Sequence, residues 1–313
     1  MGGAAGAGKR LQQGRRPRYR AGCAVLPALL ISAALAGCGS STEPPPVAAA
    51  HTVSVTPPAA SVAPRVVPAQ VREAVAAAES AAPAGTEPGV AVLDRVTGEL
   101  AVGARGDEPY FTASLSKLLV AVDVLYRHRV EGVAVDATDL DLIRRALGPS
   151  DDQAMNVLWV RFDGPGAVSR VAARLGLSSA VAPPTPSQWG DVALSPRDTA
   201  RLLDHVLGSL PSEDREVVVG ALARASATAA DGFDQSFGLL APQLADEVDG
   251  DVLAKQGWMC CHSGWRHLHT AGAVGADQRY VVALLSRVPR SSDWDSARAG
   301  STASTLAAVR ALA

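Results

Sequence analysis

The chain has 313 residues, 48% of them hydrophobic, and carries 29 lysines and arginines against 31 aspartates and glutamates, a formal charge of −2. Six of those basic groups (Lys9, Arg10, Arg15, Arg16, Arg18 and Arg20) and no acidic one lie in the first 37 residues; without that segment 23 basic face 31 acidic groups, a formal −8. A mildly acidic chain with no basic patch interleaved with aromatics is a poor nucleic-acid binder, which excludes that class of partner.

The basic stretch is followed by an apolar run from Ala21 to Ala36, too short and too rich in alanine and glycine to span a bilayer comfortably, so the order reads as an export leader. The run closes on Leu35-Ala36-Gly37-Cys38, which resembles a bacterial lipobox. That resemblance implies that residues 1–37 are removed and that Cys38 is acylated, anchoring the protein to the outer face of the cell membrane; an ordinary signal peptide cut elsewhere is the alternative. Residues 38–68 hold Pro44, Pro45, Pro46, Pro57, Pro58, Pro64 and Pro68, which rule out a helix or a central strand and predict a tether. Thirty extended residues at ~3.1 Å each would reach ~90 Å, enough to present a domain well out from a bilayer.

Residues 69–313 suffice for one domain with a large core. A helical pattern covers Ala69–Ala81. Gly89–Leu93 and Glu99–Val102 read as strands joined by a turn at Thr97-Gly98. A helix-rich block follows from Ser114 to about Ser226, in which Ser195-Pro196-Arg197-Asp198 has the form of a helix start with Ser195 as cap. Strands return at Val252–Met259, Trp265–Val274 and Tyr280–Ser286, and a last helix runs from about Trp294 to Leu312. The predicted class is α+β.

Three short stretches carry the chemistry: Ser114-Leu115-Ser116-Lys117, Ser150-Asp151-Asp152 and Lys255-Gln256-Gly257. Serine and lysine three apart share a helix face, and a lysine made neutral by burial can take the proton of a serine nucleophile. Ser-Asp-Asp before Gln153–Trp159 also suits a plain helix cap. In this order the stretches resemble the S-x-x-K, S-D-N and K-T-G set of class A β-lactamases and penicillin-binding proteins, here in an actinobacterial-type lipoprotein. The resemblance spans nearly all of residues 69–313, because the element order also matches. It implies a five-stranded antiparallel sheet flanked by the terminal helices, with an all-helical lobe, trimmed here because only 36 residues lead from Ser114 to Ser150.

By the same resemblance Ser114 is the acylated nucleophile, Lys117 its base, Ser150 a proton relay and Lys255 an electrostatic partner. The backbone N–H groups of Ser114 and Trp258 form the oxyanion hole, and Asp152, Gln256 and Gly257 bind substrate. Asp152 stands where the family has asparagine, losing the amide donors and adding a charge beside Lys117. Gln256 stands where a small hydroxyl residue belongs. No glutamate lies between Gly176 and Pro196 to activate a deacylating water, and Asp191 is the sole acidic substitute.

The implied function is an exported serine hydrolase acylated by a β-lactam or a D-Ala-D-Ala-like wall peptide. A β-lactamase with a non-standard deacylation site and a non-catalytic wall-binding domain are the alternatives. No metal or cofactor is expected, and the protein should be a monomer. Adjacent Cys260 and Cys261 read first as two small buried strand residues, next as a vicinal disulfide, and last as metal ligands. His267 and His269 would share one strand face, as surface residues before substrate contacts, and Trp159 and Trp189 would serve packing.

Overall fold

The structure, a computed structural model, describes residues 69–313; the expected leader, Cys38 and the tether to residue 68 lie outside the described residues. In chain order, α1 (Ala69–Ser80) leads into β1 (Glu87–Asp94), β2 (Glu99–Val102) and the short β3 (Tyr110–Phe111). The helical block holds α2 (Ser116–Glu131), α3 (Ala137–Leu147), α4 (Asp152–Arg161) and α5 (Gly164–Leu175), then β4 (Ala193–Leu194), α6 (Pro196–Gly208) and α7 (Ser212–Leu222). β5 (Leu253–His262), β6 (Trp265–Val274), β7 (Tyr280–Pro289) and α8 (Trp294–Arg310) complete it. The expected α+β class, with five antiparallel strands and flanking terminal helices, is what these elements form.

The sheet order is β2-β1-β7-β6-β5, every pair antiparallel. Side chains alternate across a strand, and both faces are covered here. Val90 and Val92 join Val282 and Leu284 against α1 and α8, while Ala91 and Leu93 join Val281, Ala283 and Leu285 against the helical lobe. Two covered faces explain why Gly89–Leu93 and Val281–Leu285 read as unbroken apolar runs rather than alternating ones. β5 is an edge strand, and its pairing with β6 slips between Cys260 and His262.

At the centre of the lobe is α2, buried without interruption from Ser116 to Leu125. A helix wrapped on all sides must satisfy its polar groups internally. Asp123, fully buried, does so by accepting from Arg170 Nη2 at 2.7 Å and Arg174 Nη2 at 3.0 Å, both on α5. α2 stops at Gly132, whose φ of 71° suits glycine and whose N–H caps Arg127 O. As expected, Ser195 caps α6, accepting from Asp198 N–H, with Pro196 in the first turn. The Asp198 carboxylate turns instead to Ser179 N–H at 2.6 Å, fixing the loop before β4.

Asp123→Ala should lower stability by about 3 kcal/mol in urea unfolding, since it strands two part-buried guanidinium groups. Glu131→Ala, which removes the exposed partner of Arg127 on the same helix, should cost no more than about 0.5 kcal/mol.

Candidate active site

Ser114 sits in a 3₁₀ turn, Ala113–Leu115, just ahead of α2, rather than on the α-helix itself. Ala113 before it has φ 47°, in the left-handed region where a β-carbon is strained. The turn is held from two sides. Val192 O accepts from both the N–H (2.7 Å) and the hydroxyl (2.8 Å) of Thr112, and Phe111 O receives His269 Nε2 at 2.8 Å. Gly257 lies against the same turn; a β-carbon there would stand 2.8 Å from Thr112 O, so only glycine lets β5 approach the nucleophile this closely.

Lys117, the second residue of α2, is 1% exposed. Its Nζ donates to Ser150 O at 2.7 Å, Ser150 Oγ at 3.1 Å and Asp152 Oδ1 at 2.6 Å. A protonated Lys117 thus has an acceptor for each hydrogen, and Ser114 Oγ makes no hydrogen bond among the described residues. The expected shared helix face is not formed, because Ser114 precedes α2, and Asp152 has captured the amine. Burial lowers the pKa of Lys117, and the Asp152 carboxylate works against that shift. The ring of Trp189, expected to serve packing alone, lies 4.9 Å from the same Nζ and is pinned by a bond from Nε1 to Asn156 Oδ1.

Ser150 has φ 55°, a second non-glycine residue in the left-handed region. It does not cap α4: Asp151 does, accepting from Gln153 N–H and Ala154 N–H while also bound by Arg145. That division of labour frees the Ser150 hydroxyl, which receives Lys255 Nζ at 2.8 Å as well as Lys117. Lys255 is fully enclosed, and among the described residues its other acceptor is Gln256 O at 2.8 Å. Burial, then the charge of Lys117, drives its pKa well below 10.5.

Other expected site residues are placed differently. Gln256 is 1% exposed and donates through Nε2 to Gln235 O and Phe237 O, so its amide fastens the 235–237 segment. Trp258 stacks on Phe233 with centroids 4.5 Å apart and donates through Nε1 to Asp231. Asp191 Oδ1 faces His262 Nε2 at 3.3 Å, and no hydrogen bond ties it to Ser114 or Lys117. Cys260 and Cys261 are not buried thiols but a vicinal disulfide, with Cys260 exposed; strand β5 leaves its regular pairing at this point. His267 and His269 are not surface residues: they are 2% and 0% exposed, with rings 5.9 Å apart on one strand face. Arg266, the neighbour of His267 on β6, donates to Ser292 O. Trp159 packs as expected, 4% exposed. Among the described residues no group of three or more histidine, cysteine, aspartate or glutamate side chains could hold a metal ion. Sequence reading missed Trp189 over Lys117 and Asp231 beside Trp258; neither leaves a local signal, since both contacts depend on loops folding back.

No family model matches the chain. Proteins named "Putative lipoprotein LppW" from Mycobacterium bovis and Mycobacterium tuberculosis are 36% identical over 245 residues, 75% of this chain and 75% of theirs. Among solved structures, the TLA-1 extended spectrum β-lactamase superposes with a TM-score of 0.63 at 14% identity, covering 78% of this chain and 99% of that one. A β-lactamase from Chitinophaga pinensis gives 0.59 at 14% identity, covering 77% and 97%. A class A β-lactamase from Mycobacterium abscessus gives 0.56 at 20%, also covering 77% and 97%. At these identities the superpositions establish the serine β-lactamase fold and no activity.

Because folding lowers the pKa of Lys255, the unfolded chain binds that proton more readily. Stability should therefore rise with pH in the window between the folded value and 10.5, and lose that contribution as pH falls through the window. Urea unfolding from about pH 7 to about pH 10 should show a steeper rise for the wild type than for Lys255→Met, which has no such proton to release.

Proposed function

The chain belongs to the family of the mycobacterial LppW lipoproteins, and from that membership and the geometry around Ser114 we propose an exported, lipid-anchored serine acyl-enzyme that reacts with β-lactams or D-Ala-D-Ala-like wall peptides. The observation that carries this reading is the convergence of Lys117 and Lys255 on the Ser150 hydroxyl, next to the strained turn of Ser114. Lys117 first leaves a proton on Asp152; Ser114 Oγ then adds to the substrate carbonyl, and its proton passes to the neutral Lys117 amine. Ser150 hands a proton to the departing nitrogen and regains one from the lysines on either side. The acyl group stays on Ser114, and the carbonyl oxygen is held by the N–H groups of Ser114 and Trp258. Lipid on Cys38 and a tether to residue 68 would set the domain at wall distance, consistent with the relatives being named lipoproteins.

Deacylation is the step with least support. Asp191 is engaged with His262, so an acyl-enzyme should persist and efficient β-lactamase turnover is not expected. A second reading, a wall-peptide binder without chemistry, draws support from the 2.6 Å contact between Lys117 and Asp152, which stabilises the ammonium and withholds the base.

A time course of intact mass with a penicillin separates the readings. A stable adduct on Ser114, absent in Ser114→Ala, is the expected result. A transient adduct with hydrolysed drug would make the protein a β-lactamase and promote Asp191. No adduct at high drug concentration would sink acylation by β-lactams. Asp152→Asn should speed adduct formation by about tenfold or more, since it removes the charge that holds Lys117 protonated; an unchanged or slower rate would show that Asp152 is not what restrains Lys117.

A further inference from the structure

A groove of about 450 Å³ opens where the far end of the β5–β6 hairpin meets β3 and β4, lined by Phe111, Val181, His262, Trp265, His267 and Arg287. That volume lies in the range of small-molecule sites. Its walls are rings: Phe111 stands 4.9 Å from His262 and 5.6 Å from His267. Behind them both nitrogens of His269 are engaged, Nε2 by Phe111 O and Nδ1 by Ser286 N–H.

His267 differs. It is 2% exposed, and burial holds its pKa down to about 3, so the ring is neutral. Its Nδ1 is enclosed without a partner. Nε2 makes no hydrogen bond among the described residues either, and His267 lines the groove. A ligand that reaches Nε2 gains a hydrogen bond without displacing a protein partner.

Charge narrows the ligand. Arg287 is spent on Glu87 at 3.0 Å, Glu108 at 3.3 Å and Pro109 O at 2.8 Å, and its guanidinium lies 4.2 Å over Tyr110. Both glutamates also face Arg105, and His262 faces Asp191. Among the described residues, a carboxylate entering the groove meets no free cation, and an ammonium meets no free carboxylate. We propose that this groove is a binding site for a small uncharged aromatic group bearing one hydrogen-bonding function, seated among Phe111, His262 and Trp265 with that function on His267. The assignment stands apart from acylation at Ser114, since none of these residues takes part in it.

Saturation-transfer NMR titration of the full chain with benzamide tests it, with benzoate and benzylamine as charged counterparts. Benzamide should bind saturably, and each charged analogue at least tenfold more weakly. His267→Phe keeps the ring and removes the hydrogen bond; it should weaken benzamide by about 2- to 10-fold, with an unchanged or higher melting temperature because an orphaned nitrogen has gone. Trp265→Ala, on a part-exposed residue, gives a second reading of the same site and should also weaken binding. The assignment is overturned by benzoate binding as tightly as benzamide, by equal affinity in wild type and both variants, or by no saturable signal.

Discussion

Two lysines enclosed around a single serine hydroxyl are the constraint on which the rest of the site depends. Bringing two amines out of water beside each other disfavours charging both, and the surroundings divide the burden unequally. Lys117 has a carboxylate at 2.6 Å; Lys255 has only Ser150 Oγ and a backbone carbonyl. The arrangement requires Ser150 to adopt a left-handed conformation, Asp151 to take over the capping of α4, and Gly257 to let the strand come close. The left-handed serine and the strand glycine are local costs of order 1 kcal/mol each, carried by a core whose central helix is buried along most of its length.

The fold is shared with class A β-lactamases at 13–21% identity, which says how little of the sequence the architecture needs. The alternation that buries both sheet faces and the unbroken apolar stretch of α2 are enough. Chemistry is a different matter, because the Asp152 carboxylate holds the Lys117 amine at 2.6 Å, a single side chain acting on the group beside Ser150.

How far sequence sufficed follows the range of the interactions. Elements set by periodicity and turn chemistry, such as α1, β1, β2, β6 and the cap at Ser195, lie within a residue or two of expectation. The meeting of both lysines with Ser150 was legible because their motifs are local and their order is fixed. What failed depended on partners far along the chain. Gln256 looks like a cleft residue until the carbonyls of Gln235 and Phe237 are seen behind it. Histidines at alternate positions look like a surface stripe until Phe111 covers them. Adjacent cysteines in a strand read as packing, because nothing near them announces that the strand is about to leave its ladder.

That departure limits what the sheet edge can accept. β5 borders the sheet, so from Leu253 to Met259 its outward backbone groups form a template for another extended chain. Beyond Met259 the disulfide and the slipped register break the template, leaving a usable ladder of only about 20–24 Å. A segment of six or seven residues can lie along it with Gly257 near its middle, whereas a longer strand runs out of partners. On the function proposed for Ser114, such an edge would act as a gauge of strand length, admitting short peptides and leaving the extended edges of neighbouring proteins too little to hold.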